Sequence, residues 1–147
     1  PSLNVKNMIK KVMLVLLFAI ISCKKDCNEC FTPPQPLVFE FIDASTGKNL
    51  FDNDTFVPEQ IRVLDKTDNK LIEHAFSNNQ LKLNSFGWKT ETIDYNIFVS
   101  DSLIFSLKVE AERAKDNCCD FTRYNQILIQ GSDYQLNPES GIYKILL

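Results

Sequence analysis

The sequence predicts an all-β fold over Leu37–Leu147: a two-layer antiparallel sandwich, immunoglobulin-like or transthyretin-like, of about eight strands. Three observations carry this expectation. Apolar residues recur with period two and not 3.6, turn-forming residues separate the apolar stretches, and no segment of useful length has a helical stripe.

The elements follow in chain order. Leu37, Phe39 and Phe41 alternate in a first strand, and Asp43–Asn49, with Gly47, supplies the turn that closes it. Ile61–Lys66 and Leu71–Phe76 flank Thr67-Asp68-Asn69-Lys70, which reads as a hairpin turn. Gln80–Asn84 is a short strand. Ile93, Tyr95, Ile97 and Val99 alternate, as do Leu103, Phe105, Leu107 and Val109, with Ser100-Asp101-Ser102 as the tight turn between them. Glu110–Asn117 has helical propensity but no apolar stripe and continues a strand, so it reads as a strand end and hairpin loop. Arg123–Gln130 and Ile142–Leu147 complete the set.

The first 22 residues read as a targeting segment and not as part of the fold. Met8 opens a basic stretch, so Pro1–Asn7 are expected to precede the protein proper. Lys10 and Lys11 lead into an apolar run, Val12–Ile21, that is too short to span a bilayer as a helix. The run ends at Ile20-Ile21-Ser22-Cys23, which resembles a bacterial lipobox, with an aliphatic residue three before the cysteine and a small one directly before it. The resemblance implies cleavage before Cys23 and lipid modification of Cys23. It also implies a location in the cell envelope, on the outer membrane, with the membrane reached through the acyl chains. Cys23-Lys24-Lys25-Asp26 is similar to the start of small Bacteroidota lipoproteins, in which such a charged stretch can direct export to the outer leaflet. A solvated tether with no sorting role is the other reading. The resemblance is confined to these residues and implies no activity.

Residues 23–36 are expected to form a tether, extended by Pro33, Pro34 and Pro36, and the sandwich to occupy 37–147. The leader removes three of the 16 basic residues, leaving 13 against 19 acids and a net charge of −6. Such a surface repels phosphate backbones, so nucleic acid is not an expected partner.

Four cysteines remain in the chain after Cys23: Cys27, Cys30, Cys118 and Cys119. An even number in an oxidising compartment reads as two disulfides, with three connectivities open. Zinc is the weaker reading, because the side chains of adjacent cysteines point apart. A redox pair would need a helix start on a packed scaffold, and this pair sits on the tether. A bond between Cys118 and Cys119 would strain the peptide joining them. At least one disulfide is therefore expected to join the Cys27/Cys30 pair to the Cys118/Cys119 pair.

Residues for chemistry are few. The single histidine, His74, falls on a strand face with Ile72 and Phe76, where a rim residue outweighs a base or ligand. Nucleophilic triads then lack a base, and four glycines leave little for phosphate loops. The carboxylate pairs Asp52/Asp54 and Asp65/Asp68 lie in or beside turns, where aspartate serves the backbone. Asp52-Asn53-Asp54 lacks the later glycine and glutamate of a calcium loop. Phe86-Gly87-Trp88 is the one aromatic cluster in a loop, either a plug closing the sandwich or a platform on which a sugar ring could stack. Asp101-Ser102-Leu103 resembles the Bacteroidota O-glycosylation signal, which would put a glycan on Ser102.

The expected function is a lipid-anchored envelope module, not an enzyme and without a cofactor, that binds a protein or glycan partner or serves structurally. A carboxylate-dependent glycan hydrolase is the alternative.

Overall fold

Alternating burial is the organising feature of residues 30–147, the part of the chain that the computed structural model describes. The segments read as signal peptide and lipobox, with Cys23, and also Cys27 lie outside the described residues. The strands are β1 (Cys30–Phe31), β2 (Leu37–Ile42), β3 (Ile61–Asp65), β4 (Ala75–Ser77), β5 (Gln80–Leu83), β6 (Glu91–Val99), β7 (Ser102–Asp116), β8 (Cys119–Gln130), β9 (Asp133–Leu136) and β10 (Ile142–Leu146). They form two five-stranded sheets, β1-β8-β7-β6-β3 and β4-β5-β2-β10-β9, which pack as a sandwich.

The all-β sandwich is as expected, but the sheets differ from the expectation in two respects. There are ten strands, not about eight: β1 and β9 lack the apolar alternation by which strands are read, and β9 is exposed along its whole length. The sheets are also mixed and not antiparallel, because β10 runs parallel to β2 and β1 parallel to β8. Alternation reveals which face of a strand is buried; it carries no information on a strand's direction or neighbours.

The core is dry: among the described residues no polar or charged side chain is buried, and no buried side-chain nitrogen or oxygen lacks a partner. Phe39 and Phe41 of β2 face Phe105 of β7 across the sheets, with ring centroids 5.1 and 6.2 Å apart. Burying a side chain of this size contributes about 2–3 kcal/mol by area. Leu50 and Phe51, from the loop after β2, are buried beside them, and Phe51 reaches Phe76 of β4 at 4.8 Å.

Two irregularities re-aim the long strands. On β7 the register passes from Ile97↔Phe105 to Phe98↔Leu103, so Ile104 is an extra residue. The parity of the strand flips there. Phe105, Leu107 and Val109 are buried, while Leu103, expected with them, is exposed. The Ile104 carbonyl accepts a hydrogen bond from the Ser132 hydroxyl. On β8 the register skips Asn125, which places Tyr124 as well as Ile129 on the inner face.

The expected strand Leu71–Phe76 is reduced to its last part. Leu71 bridges Leu64 and the Ile72 amide donates to Val63, so the hairpin around Asn69 (φ 57°) forms as read. The chain then leaves this sheet and pairs in the other as β4. His74 lies on the crossing, outside any strand, partly buried and with its Nδ1 3.4 Å from the Ile72 carbonyl.

Phe105→Ala is expected to cost about 3–5 kcal/mol and Leu103→Ala within about 0.5 kcal/mol. Urea unfolding of the two variants checks the bulge, since an unbroken alternation would make both costly.

Candidate functional site

Two surface features are built from residues with chemistry: a polar cleft on one sheet and an aromatic ledge beside the disulfide. The cleft, of about 670 Å³, opens over the outer face of the β2–β10 pair. On its floor Glu40 of β2 and Lys144 of β10 are register partners, and alternation turns both away from the core. The loop after β2 supplies one wall, with Lys48, Asn49 and Asp52, and the β4–β5 turn supplies the other, with Asn78 and Asn79.

Local sequence explains both walls. Asp43 starts the first by accepting the Ser45 and Thr46 amides at 2.8 and 3.2 Å. Bonds from the Ser45 hydroxyl and amide hold its carboxyl below the ordinary carboxylate range. In the second, Asn78 and Asn79 have φ of 54° and 58°, the left-handed pair of a tight hairpin that asparagine tolerates better than most residues.

The walls are tied to each other and to the floor. Asn49 Nδ2 donates to the Asn79 carbonyl at 3.0 Å, Asn79 Nδ2 donates to Asp52 Oδ1, and Gln80 Nε2 donates to Glu40 Oε1 at 2.9 Å. The lining therefore offers amides, two carboxylates and two ammonium groups in balance. Such a surface can both donate to and accept from a neutral, polyhydroxylated ligand, and it has no excess of charge to hold phosphate.

The second feature surrounds the disulfide. Cys30 and Cys119 are bonded across 89 residues and sit opposite each other where β1 joins β8. Cys118 is disulfide-bonded as well. The bond joins the tether pair to the hairpin pair, as expected, and on the chain-entropy model a loop of this size removes about 4–5 kcal/mol of freedom from the unfolded chain.

The segment after Cys30, expected to belong to the tether, is fastened along its length. The Thr32 amide donates to the Asp120 carbonyl at 2.9 Å, Arg113 Nη1 donates to the Thr32 carbonyl at 2.8 Å, and the Tyr124 hydroxyl donates to the Gln35 carbonyl at 2.6 Å. Pro34 is buried against Gly87.

Gly87 is where this packing closes. Its φ is +85°, and a Cβ there would lie 3.1 Å from Thr122 Cγ2 and 3.2 Å from Pro34 Cβ. The Gly87 carbonyl accepts the Thr122 hydroxyl at 2.6 Å, and its amide donates to Glu91 Oε1 at 2.8 Å. The turn divides the aromatic cluster. Phe86 is buried against Tyr95 and Tyr124, as a plug would be, and Trp88 is half exposed, stacked on Phe31.

The remaining candidates are scattered. Asp52 reaches the cleft, whereas Asp54, at φ 59°, is an exposed turn residue outside its lining. Asn53 Oδ1 accepts the Thr55 amide. Asp65 and Asp68 accept the Thr67 and Lys70 amides at 2.8 and 3.0 Å, the turn role expected of them. Ser102 is exposed where β7 begins. Among the described residues no three His, Cys, Asp or Glu side chains gather as metal ligands would.

Glu40, Lys144 and Asn79 escaped the sequence reading. The one signal available was that Glu40 and Lys144 are charges within strongly apolar strands, which marks an outward face but not a shared one.

Two substitutions test the fastening. Gly87→Ala combines a left-handed φ with contacts tighter than a methyl group ordinarily makes, and should lower stability by about 1–3 kcal/mol. Cys119→Ser should cost about 2–5 kcal/mol, and non-reducing peptide mapping of the unmutated protein should recover a Cys30–Cys119 peptide. No family model matches the chain, and no match to it is found among curated proteins or solved structures.

Proposed function

We propose that this chain is a lipid-anchored envelope protein whose sandwich is a non-catalytic module that binds a glycan in the polar cleft of the β2–β10 sheet. The anchor is supported by the lipobox at Cys23. The cleft itself carries the binding reading. Its amides and its balanced charges, Glu40 and Asp52 against Lys48 and Lys144, suit sugar hydroxyls better than an ionic ligand. The cross-links from Asn49, Asn79 and Gln80 hold both walls in place before any ligand arrives, which lowers the entropic cost of binding.

One observation favours the hydrolase as a second reading: Glu40 and Asp52, two carboxylates, line the same cleft. Against it, each already accepts a bond from a side-chain amide of the β4–β5 hairpin. Both groups are thereby occupied as structural acceptors.

Glycan-array binding by the full chain, followed by titration of the best hit, tests the proposal. Lys144 holds neither wall, so Lys144→Ala should fold normally and weaken binding about ten-fold, equivalent to about 1.4 kcal/mol. Retention of no glycan, with specific capture of a protein from native membranes, would replace the glycan by a protein partner. Release of reducing ends from the bound glycan, abolished by Glu40→Gln or Asp52→Asn, would establish the hydrolase instead.

A further inference from the structure

Phe31 and Trp88 stack at 5.9 Å with planes 17° apart, yet they remain 60% and 51% exposed. Two large rings held side by side and half exposed form a contiguous apolar patch of the kind that marks an interaction surface. They are not loosely held. The Arg113 guanidinium lies 4.8 Å from the centre of the Phe31 ring, while its nitrogens bond the Thr32 carbonyl and the Thr122 hydroxyl at 2.8 and 2.9 Å. The Trp88 indole N–H donates to the Asn84 carbonyl at 3.3 Å, so its polar atom is used within the chain and the face turned outward is carbon. That is an apolar surface, on which a sugar ring could stack only by its C–H face. It is a good one for the headgroup–acyl boundary of a bilayer, where tryptophan concentrates.

The position of the ledge in the chain identifies the occupant. Phe31 follows Cys30 directly, and Cys23 precedes Cys30 by seven peptide steps. At about 3.3–3.6 Å per step, those residues reach no more than about 25 Å. If Cys23 carries the anchor, the bilayer surface lies within that distance of the ledge. The charges around it are mixed. Lys89 adjoins Trp88, and Lys115 and Arg123 stand on the β7–β8 hairpin with Glu112, Asp116 and Asp120. The contact is therefore apolar first, with little net attraction to anionic lipid.

We propose that the Phe31–Trp88 ledge rests in the interfacial layer of the membrane that the Cys23 anchor enters, so that the domain stands on its disulfide end. Residues Cys30–Gln35 lie before β2, and the cleft lies toward the far end of β2 and the loop beyond it. This stance turns the cleft away from the lipid. The inference rests on the anchor reading above.

Trp88 is the one tryptophan of the chain, so its fluorescence reports the ledge alone. The full lipidated protein, extracted from membranes, is reconstituted into phosphatidylethanolamine–phosphatidylglycerol vesicles, and flotation establishes anchoring independently. Emission is expected to shift to the blue relative to Cys23→Ser protein mixed with the same vesicles. Phospholipid with a nitroxide at the shallow end of the acyl chain should quench it several-fold more strongly. Phe31→Ser, a change at an exposed ring, should still float but lose most of that quenching. Protein that floats while Trp88 emission matches the Cys23→Ser control overturns the ledge and leaves the anchor standing, as does Phe31→Ser protein quenched like the unmutated one. Protein that carries no acyl group and does not float overturns the anchor, and the ledge with it.

Discussion

Phe39 lies between Phe105 of the facing sheet and Tyr143 of the neighbouring strand, with its ring centre 5.1 and 5.5 Å from theirs. The rest of the architecture depends on that contact, because it joins the three strands that define the sandwich. β2 is the middle strand of one sheet with β10 beside it, and β7 is the middle strand of the other. The parallel pairing of β2 with β10 brings the first long strand of the fold beside the last. Such pairings are formed late and at high entropic cost, since nearly the whole domain intervenes. The buried aromatic layer compensates for that cost. Three of the four edge strands are short or exposed: two residues in β1, three in β4, and a fully exposed β9. Short edges of this kind discourage pairing with other chains.

The N-terminal segment is the second determinant. A covalent bond, an arginine fork, a partly buried tyrosine and a glycine fasten Cys30–Gln35 to the end of the β7–β8 hairpin. Each acts by a different means. The disulfide limits the unfolded chain, Arg113 donates to the Thr32 carbonyl, and Gly87 leaves the room in which Pro34 packs. Partial burial raises the Tyr124 phenol above its ordinary value, which extends the alkaline range over which the hydroxyl can donate to Gln35. The outcome is that Cys30–Gln35 are fixed to the domain. The polar cleft lies on one sheet, and the apolar ledge lies by the disulfide on the other.

Much of this was legible in the residues. The period-two stretches at Leu37–Phe41 and Ile93–Val99 identify strands because one face must be apolar to be buried, and that requirement is local. The turn aspartates are legible for the same reason, since an Asx side chain satisfies amides two or three residues away. The cross-pairing of the cysteines followed from the strain that a bond between neighbours would impose.

What the residues could not convey is whatever depends on which strand lies beside which. The bulges at Ile104 and Asn125 exist because a long hairpin must follow the facing sheet, and no local propensity marks them. His74 left its strand because the chain changes sheets there. The cleft draws Glu40, Asp52, Asn79 and Lys144 from strands and turns that meet only in three dimensions, so no spacing announces it. Phe86 and Trp88, one residue apart from their shared glycine, were divided between core and surface by the left-handed turn at Gly87. Alternation along the chain determined which residues are buried. Pairing between distant strands, which only the folded chain creates, decided where the exposed ones converge.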